Sequence, residues 1–145
     1  MPSKFRVLVV DDDSTLLGIL NQASQTSFPE AAFTQVANVS QAKTFLNTLD
    51  GYGPRLVLLD INLKAPESGL DFLSYLRLDK QNSLLPVVML TVSEAASDVR
   101  QAYEWGANSF SVKPFSYSDW QSYLKGLRNY WFETVTLPAA VYTKK

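Results

Sequence analysis

The chain has 145 residues, of which 46% are hydrophobic and 19% charged, a balance that suits one globular domain with a buried core. The net charge of −1 provides no basic surplus for nucleic-acid binding. Because the sequence contains neither cysteine nor histidine, disulfides, Ser-His-Asp catalysis and metal sites built on thiolate or imidazole are excluded, and any bound metal must have oxygen ligands, as magnesium, calcium and manganese prefer.

The sequence contains no apolar run of about 18 residues, the length that a transmembrane helix needs. The first residues lead directly into a short strand-like run, without the hydrophobic region of a signal peptide. We therefore expect a cytoplasmic protein that makes no membrane contact.

Five short apolar, β-rich runs alternate with five helical patterns along the chain. The runs cover residues 5–10, 33–37, 56–59, 87–90 and 110–112. The helical patterns cover about residues 14–27, 40–49, 70–76, 95–105 and 118–132. The segment 51–54, Gly-Tyr-Gly-Pro, predicts a turn. Such alternation with short connections predicts an α/β domain in which a parallel sheet carries helices on both faces through right-handed crossovers.

Polar side chains follow four of the predicted strands. Asp11 and Asp12 come after the first strand, and Asp60 comes after the third. Thr91 follows the fourth and Lys113 the fifth. The carboxyl ends of parallel strands meet at one edge of a sheet, so we expect these side chains to lie close together. Three carboxylates repel one another unless a cation neutralises them, and such oxygen ligands match magnesium.

A lysine and a hydroxyl beside a metal-bound carboxylate can hold an incoming phosphoryl group, because the ammonium offsets its charge and the hydroxyl donates a hydrogen bond. Asp60 is the candidate nucleophile for an aspartyl phosphate, since it alone ends the central apolar run, where an unpaired charge is costly to bury. Taken singly, the acidic run at 11–13 could be a helix cap and the other residues ordinary strand ends. That simpler explanation would have to hold at four strand ends at once, which disfavours it. Asp13 is interpreted as a cap or as electrostatic background.

The motifs at these strand ends resemble those of response-regulator receiver domains of two-component signalling. They read Val-Val-Asp-Asp at 9–12, Leu-Leu-Asp-Ile-Asn at 58–62, Leu-Thr at 90–91 and Val-Lys-Pro-Phe at 112–115. The resemblance extends over residues 5–132 and implies a flavodoxin-like fold, a doubly wound five-stranded parallel sheet in the order 2-1-3-4-5 with five helices. We expect a receiver domain at residues 1–132 and a C-terminal tail at 133–145 that forms no separate domain.

The resemblance implies a phosphoryl acceptor and a metal site. Asp60 would accept the phosphoryl group, and Asp11 and Asp12 would bind Mg²⁺ together with Asp60. Asn62, two residues after the acceptor, would contribute its backbone carbonyl to the metal. Mg²⁺ is therefore the expected cofactor.

The resemblance also implies a conformational switch beside the acceptor. Thr91 would bind a phosphoryl oxygen and change conformation, and Lys113 would pair with the phosphoryl group. The bond between Lys113 and Pro114 would be cis. Phe110 lies where the family has an aromatic rotamer switch, although a plain core residue is an equally good interpretation of this position.

Two features depart from the family pattern. Gly69 lies nine positions after Asp60, where the family usually has eight, so the loop after the acceptor is one residue longer. Val92 follows Thr91 where the family usually has Ala or Gly. Its two extra methyl groups would hinder the access of water to the acceptor.

We expect a stand-alone receiver that takes a phosphoryl group from a sensor histidine kinase or phosphotransfer protein and then changes its contacts with an unidentified downstream protein. The aromatic end of the fifth helix at 130–132 and the Leu-Pro tail at 137–138 are similar to lone receivers that partner phytochrome-type kinases. Either the tail folds back over this turn or both form a partner surface. A homodimer is expected through the face of the fourth helix, fifth strand and fifth helix, together with the tail.

Two other classes stay open. A phosphorylation-independent scaffold would keep the fold and signal by dimerisation alone. A phosphatase of the haloacid dehalogenase type also uses an aspartate, a hydroxyl, a lysine and Mg²⁺, and Asp11 and Asp13 form its Asp-x-Asp pattern, but its cap insertion and second acidic motif are absent. As a receiver, the chain is not an enzyme beyond its own phosphorylation and dephosphorylation.

Overall fold

Seven strands, five α-helices and one π-helix make up the part of the chain that the computed structural model describes, residues 4–139 and 141–143. The strands are β1 (Phe5–Val10), β2 (Ala31–Val36), β3 (Gly51–Tyr52), β4 (Leu56–Leu59), β5 (Val87–Thr91), β6 (Ser109–Val112) and β7 (Val141–Tyr142). The helices are α1 (Leu16–Ser27), α2 (Val39–Asn47), α3 (Gly69–Leu78), α4 (Ala96–Glu104), α5 (Tyr117–Leu127) and the π-helix Arg128–Thr134. None of these helices is long and apolar enough to cross a bilayer.

Five of the strands form one parallel sheet in the order β2-β1-β4-β5-β6. When the two-residue strand β3 is left out of the count, this is the order 2-1-3-4-5, so the predicted α/β fold with five helices is confirmed. The direction of the strand order reverses between β1 and β4. The carboxyl ends of these two strands therefore border the crevice in which doubly wound sheets hold their functional groups.

The sheet is buried on both faces because successive residues of its inner strands point to two different apolar clusters. Leu8 and Val10 of β1 belong to the cluster beneath α2, α3 and α4. Val7 and Val9 belong to the cluster beneath α1 and α5. This double burial explains why the inner strands are continuous apolar runs without a polar alternation.

Local capping fixes where the helices on one face begin. The Asn38 side chain accepts a hydrogen bond from the backbone N–H of Gln41 at 2.9 Å, so Asn38 caps α2 and the helix begins one residue before Ser40. At the start of α3, Ser68 and Asp71 form a reciprocal capping box. Because α3 begins directly after the loop that follows β4, this cap also fixes the end of that loop.

The predicted fifth helix ends as an α-helix at Leu127 and continues as the π-helix. Phe132 of this segment packs edge-on against Phe5, with ring centroids 5.9 Å apart. Arg128 pairs with Glu30 through two hydrogen bonds of 2.7 and 2.8 Å. These contacts tie the π-helix to the beginning of the sheet.

The described part of the tail folds back along the amino ends of the strands. Leu137 packs against the cluster beneath α1 and α5, and β7 pairs antiparallel with β3, within the segment 51–54 that was expected to be only a turn. Tyr142 is buried, and its hydroxyl donates to Asn82 Oδ1 at 2.7 Å. A Cβ at Gly53 would lie 2.3 Å from the Tyr142 ring. Of the two alternatives for the tail, folding back is observed, while the division into a receiver and a tail stays a prediction.

Candidate functional site

The carboxyl ends of the strands bring three acidic side chains together at one edge of the sheet. Carboxylate oxygens of Asp11, Asp12 and Asp60 lie within 4.8 Å of one another. Asp11 and Asp60 are buried, whereas Asp12 is partly exposed, so the cluster opens to solvent beside Asp12. Three carboxylates at this spacing can hold a divalent cation, since hard cations prefer oxygen ligands.

Backbone hydrogen bonds of the sheet hold these residues in place. The N–H of Asp11 donates to the carbonyl of Val36 in β2, and the N–H of Asp60 donates to the carbonyl of Val10 in β1, both at 3.0 Å. The N–H of Lys113 donates to the last carbonyl of β5 at 2.9 Å. Each site residue therefore follows its strand while its N–H still belongs to the hydrogen-bonded sheet, which gives the side chains a rigid base.

The ammonium of Lys113 lies between two of the carboxylates. Its Nζ is 2.7 Å from Asp11 Oδ2 and 3.6 Å from Asp60 Oδ2. Burial by itself would lower the pKa of Lys113, but the hydrogen bond to Asp11 and the surrounding negative charges outweigh burial and raise this pKa. Lys113 therefore stays protonated and neutralises part of the cluster.

Asp60 combines burial with an oxygen that has no partner. Its Oδ1 makes no hydrogen bond within the described residues, and the same holds for the hydroxyl of the fully buried Thr91 on the neighbouring strand. Burial raises the pKa of Asp60, because the charged form loses its solvation. Buried polar atoms without partners are rare in folded proteins. Their presence here fits a site that is completed by a cation and an oxyanion.

In the loop between β1 and α1, the side chains of Asp12 and Asp13 bind different partners. Asp12 Oδ2 accepts a hydrogen bond from the backbone N–H of Lys64 at 3.2 Å, which links it to the loop after Asp60. Asp13 Oδ1 accepts from the hydroxyl of Thr15 at 2.7 Å and from its N–H at 2.9 Å, and these bonds lower the pKa of Asp13. The Asp13 carboxylate therefore binds Thr15, the residue that precedes α1, and it does not belong to the acidic cluster.

Two of the other predicted site residues lie at the edge of this arrangement. Asn62 is exposed two residues beyond Asp60, and its part as a metal ligand stays a prediction. Phe110 is half-buried on β6 and packs against the cluster beneath α2, α3 and α4. Its part as a switch also stays a prediction.

The peptide bond between Lys113 and Pro114 is trans, since no residue in the described part of the chain has a cis bond. The predicted cis bond is therefore wrong. Bonds before proline favour the trans form by about 0.5–1 kcal/mol. The trans backbone already places the ammonium of Lys113 in contact with Asp11, so the site geometry does not require the less stable form.

The loop between β4 and α3 is packed on the acceptor strand at its end and exposed in its middle. The N–H of Gly69 donates to the carbonyl of Ile61 at 2.9 Å, and a Cβ at Gly69 would lie 1.9 Å from the carbonyl oxygen of Asp60. Only glycine fits this contact. The middle of the loop is exposed, and its Glu67 pairs with Lys43 of α2 at 3.4 Å. The longer loop therefore reaches towards α2 while its end stays packed on the acceptor strand.

Gln35 of β2 was not among the predicted site residues. Its Nε2 donates to the backbone carbonyls of Asp11 at 2.7 Å and Asp13 at 2.8 Å. A glutamine near the end of a strand is ordinary in sequence. Its proximity to the acidic loop follows from the register that places Gln35 opposite Val9, which only the structure provides.

The fold and this site define a class of protein, the receiver domains of two-component signalling: a doubly wound sheet with an acidic cluster, a lysine and a buried hydroxyl at its carboxyl edge. Residues 7–125 match the family model described as "Response regulator receiver domain", and the chain belongs to this family. Members of the family typically act as phosphoacceptor signalling domains rather than as catalytic enzymes, and the family implies a histidine kinase as partner.

Several relatives resemble the chain over nearly its whole length. "Response regulator Rcp1" of Synechocystis sp. is 30% identical over 138 residues, which cover 92% of this chain and 93% of Rcp1. The crystal structure of the Mn²⁺-bound form of Rcp1 is similar to this structure, with a TM-score of 0.80 at 28% identity. The match covers 93% of this chain and 99% of that chain. Response regulator RPA3017, in red light signaling of R. palustris, gives a TM-score of 0.83 at 27% identity, with the same coverage. The phosphorylated cyanobacterial phytochrome response regulator RcpA gives a TM-score of 0.84 at 24% identity and supports the fold, covering 94% of this chain and 100% of that chain.

Proposed function

We propose that Asp60 accepts a phosphoryl group from the phosphohistidine of a sensor histidine kinase or a phosphotransfer protein, with Mg²⁺ bound by Asp11, Asp12, Asp60 and the backbone carbonyl of Asn62. The observation that carries this proposal is the buried Oδ1 of Asp60, which has no partner among the described residues and lies beside two groups suited to a phosphoryl oxygen. These groups are the raised-pKa ammonium of Lys113 and the unpaired hydroxyl of Thr91 on the neighbouring strand.

The proposed reaction is a transfer from nitrogen to oxygen. An Asp60 carboxylate oxygen forms a bond to phosphorus while the bond from phosphorus to the imidazole nitrogen of the donor breaks, and the electron pair of that bond returns to the imidazole. Mg²⁺, when bound, offsets negative charge on the carboxylates and on the transferring group. Lys113 pairs with one phosphoryl oxygen, and the hydroxyl of Thr91 donates a hydrogen bond to another.

Phosphorylation of the chain by acetyl phosphate tests the acceptor directly. Intact-mass measurement of the wild type with Mg²⁺ should show one added phosphoryl group, and Asp60→Asn should show none. Asp50→Asn is the matched control, because Asp50 is exposed beside β3 and outside the acidic cluster. The proposal fails if the wild type gains no group at any Mg²⁺ concentration, or if Asp60→Asn is labelled like the wild type. The first of these outcomes would instead support a phosphorylation-independent scaffold.

The similarity to response regulators of light signalling supports a proposal for the kinase. Phytochrome or red-light signalling is named for RcpA and for RPA3017. The partner of this chain is accordingly a kinase of the phytochrome type. Phosphotransfer from a phytochrome-type kinase to the wild-type chain should be at least several-fold faster than transfer from an unrelated histidine kinase. Equal rates from the two kinases would refute this assignment of the partner.

The output is proposed to be a change in protein contacts. Phosphorylation draws Thr91 towards the phosphoryl group. This movement shifts Phe110 and changes the conformation of the neighbouring face, which consists of α4, β6 and α5. Aromatic side chains with large exposed fractions lie on α4, directly after it and on the π-helix that continues α5: 49% for Tyr103, 39% for Trp105 and 53% for Tyr130. Exposed apolar groups that share a face are typical of protein interfaces. We assign this face, with the tail packed beside the end of α5, to a homodimer and to the downstream partner.

Sedimentation velocity tests the dimer. Trp105→Ser and Tyr130→Ser should weaken self-association of the phosphorylated chain, whereas Leu78→Ser should not, although Leu78 is 85% exposed at the end of α3. A monomeric wild type in both states, or equal effects of all three substitutions, would contradict the dimer and leave the acceptor proposal intact.

A haloacid-dehalogenase-type phosphatase is disfavoured by the position of Asp13. Its carboxylate accepts two hydrogen bonds from Thr15 and lies outside the acidic cluster. The Asp-x-Asp pattern therefore does not supply two carboxylates to one site. Turnover of a generic phosphomonoester that is lost in Asp13→Asn would restore that alternative.

A further inference from the structure

The loop between β1 and α1 presents an unusual positioning problem. It contains three acidic residues in succession. Asp11 and Asp12 must direct their carboxylates into one cation site, while the carboxylate of Asp13 binds Thr15 in front of α1. Like charges so close together repel one another. The regular sheet cannot hold the loop by itself, because the hydrogen bond from the N–H of Asp11 to Val36 is the last that β1 and β2 share.

The side chain of Gln35 provides the next two hydrogen bonds after the sheet ends. Gln35 stands opposite Val9 in β2, and its Nε2 donates to the carbonyl of Asp11 at 2.7 Å and to the carbonyl of Asp13 at 2.8 Å. One amide group therefore spans Asp12 and fixes the backbone on both sides of it. A further hydrogen bond within the loop, from the N–H of Asp13 to Asp11 Oδ1 at 2.9 Å, sets the direction of the Asp11 carboxylate.

The chemistry of the two partners determines which end of the amide faces the loop. Both partners are carbonyl oxygens, which only accept hydrogen bonds, so an NH₂ group that carries two hydrogens is required. The other end of the amide, Oε1, is buried and makes no hydrogen bond within the described residues. An unpaired buried acceptor is unfavourable. The side chain keeps this orientation because the loop uses both donors, and a carboxylate in its place could not make either bond.

We propose that Gln35 is a positioning residue for the divalent-cation site: its amide clamps the carbonyls of Asp11 and Asp13 and so preorganises the carboxylates of Asp11 and Asp12. This inference rests on the proposed function, since it requires that the acidic cluster binds a divalent cation. Gln35 acts through the loop backbone and contacts neither the cation nor the phosphoryl group.

The substitution Gln35→Glu separates positioning from simple electrostatics. It keeps the size of the side chain, removes both donors and adds a negative charge next to the acidic cluster. If the cluster only attracts cations by its charge, this variant should bind Mg²⁺ more tightly. If Gln35 positions the loop, the carboxylate repels the two carbonyls, and affinity for Mg²⁺ should fall by about 10-fold, as is typical when a group that orients metal ligands is lost.

Gln41→Glu is the matched control for the added charge. Gln41 lies at the start of α2, is exposed, and uses its side-chain oxygen to accept a hydrogen bond from the N–H of Ala37 at 2.8 Å. A glutamate at this position keeps that acceptor, so the control adds the same charge and preserves the hydrogen bond to the N–H of Ala37. Gln35→Met serves as a second, uncharged variant that removes both donors and avoids burying a carboxylate.

Isothermal titration calorimetry of the full chain with MgCl₂ and with MnCl₂ gives the affinities, and urea unfolding without divalent cations gives the stabilities. Both Gln35 variants should bind the cations about 10-fold more weakly than the wild type and than Gln41→Glu. Phosphorylation by acetyl phosphate should need correspondingly more Mg²⁺, while the rate at saturating Mg²⁺ stays close to that of the wild type. A residue that served stability alone would lower the unfolding midpoint and leave the affinities of the folded variants unchanged.

The possible failures are distinguishable. If the wild type binds neither cation, the proposed function fails at its metal site. If the wild type binds and Gln35→Glu binds as tightly or more tightly, the positioning role is overturned and the acceptor proposal stands. If Gln35→Glu does not fold, Gln35→Met decides, and an affinity equal to that of the wild type overturns the proposal.

Discussion

Replacing Gly69 with alanine tests how the loop after β4 supports the acceptor. A Cβ at this position would lie 1.9 Å from the carbonyl oxygen of Asp60, 2.8 Å from its carbonyl carbon and 3.0 Å from the Cα of Ile61. All three atoms belong to the backbone at the end of β4, so no side-chain rotation relieves the contact. The loop and the acceptor strand must move apart.

The size of the movement follows from the contact distances. A close C···O approach in proteins is about 3.3 Å, so the separation must grow by roughly 1.4 Å. Overpacking of this kind destabilises a protein typically by about 1–3 kcal/mol. A displacement of about 1 Å at a reacting group can lower a rate about 100-fold. We therefore expect Gly69→Ala to lose about 1–3 kcal/mol of stability and about 100-fold in the rate of phosphoryl uptake.

The assay compares the wild type, Gly69→Ala and Gly18→Ala by urea unfolding and by the rate of labelling with acetyl phosphate and Mg²⁺. Gly18 lies on the exposed side of α1, and a Cβ there would meet nothing within 4 Å. The control should gain up to about 1 kcal/mol from its better helix propensity and keep the rate of labelling. If Gly69→Ala matches the wild type in stability and in labelling, then the glycine does not position Asp60 and the reasoning from the close contact is wrong.

Three further predictions concern Val92 beside the acceptor site, the tail and the π-helix. Val92 is 72% exposed next to the site, so Val92→Ala should shorten the half-life of the phosphorylated chain several-fold, and an unchanged or longer half-life would oppose the proposed shielding. Tyr142→Phe leaves the Oδ1 of Asn82 without its 2.7 Å donor and should lower the free energy of unfolding by about 1–3 kcal/mol in urea; no loss would show that the tail is not docked in solution. The pKa of Glu30 lies below its ordinary value of 4.5, because Arg128 donates hydrogen bonds to it. The ion pair of Glu30 and Arg128 therefore stabilises the fold above pH 4.5, and this contribution is lost as the pH falls below 4.5. Glu30→Gln should then lose less stability than the wild type over this acidic range. Identical pH profiles of the two proteins would refute the prediction.

The parts of the fold that the sequence predicts are those set by local composition. The run 56–59 is apolar at every position because β4 is buried on both faces, and such a run can be recognised without knowledge of its neighbours. The carboxylate that follows it could be placed at the sheet edge by the same argument. Since parallel strands share one direction, their carboxyl ends lie at the same edge of the sheet, and this predicts that the other site residues lie near Asp60.

The parts that could not be predicted depend on contacts between distant segments. Gln35 reaches the acidic loop only through the register of β2 against β1, and a shift of one residue would point it to the other face of the sheet. The segment that contains Gly53 looks like a turn until Tyr142, far along the chain, packs directly on it. The trans bond before Pro114 was missed for another reason: the family motif implied a cis bond that the observed contact of Lys113 does not need.

Charge balance links the proposed metal and phosphoryl sites. The carboxylates of Asp11, Asp12 and Asp60 with the ammonium of Lys113 sum to three negative charges and one positive, a net charge of −2. One divalent cation neutralises this sum. In the structure the ammonium lies nearer to Asp11, at 2.7 Å, than to Asp60, at 3.6 Å, so it pairs with a carboxylate that also belongs to the acidic cluster. A cation held by Asp11 would take over that neutralisation and leave Lys113 free to pair with the phosphoryl group. The acyl phosphate would carry about two negative charges in place of the single charge of the Asp60 carboxylate. The proposed dependence of the acceptor on a divalent cation is therefore supported by charge as well as by geometry.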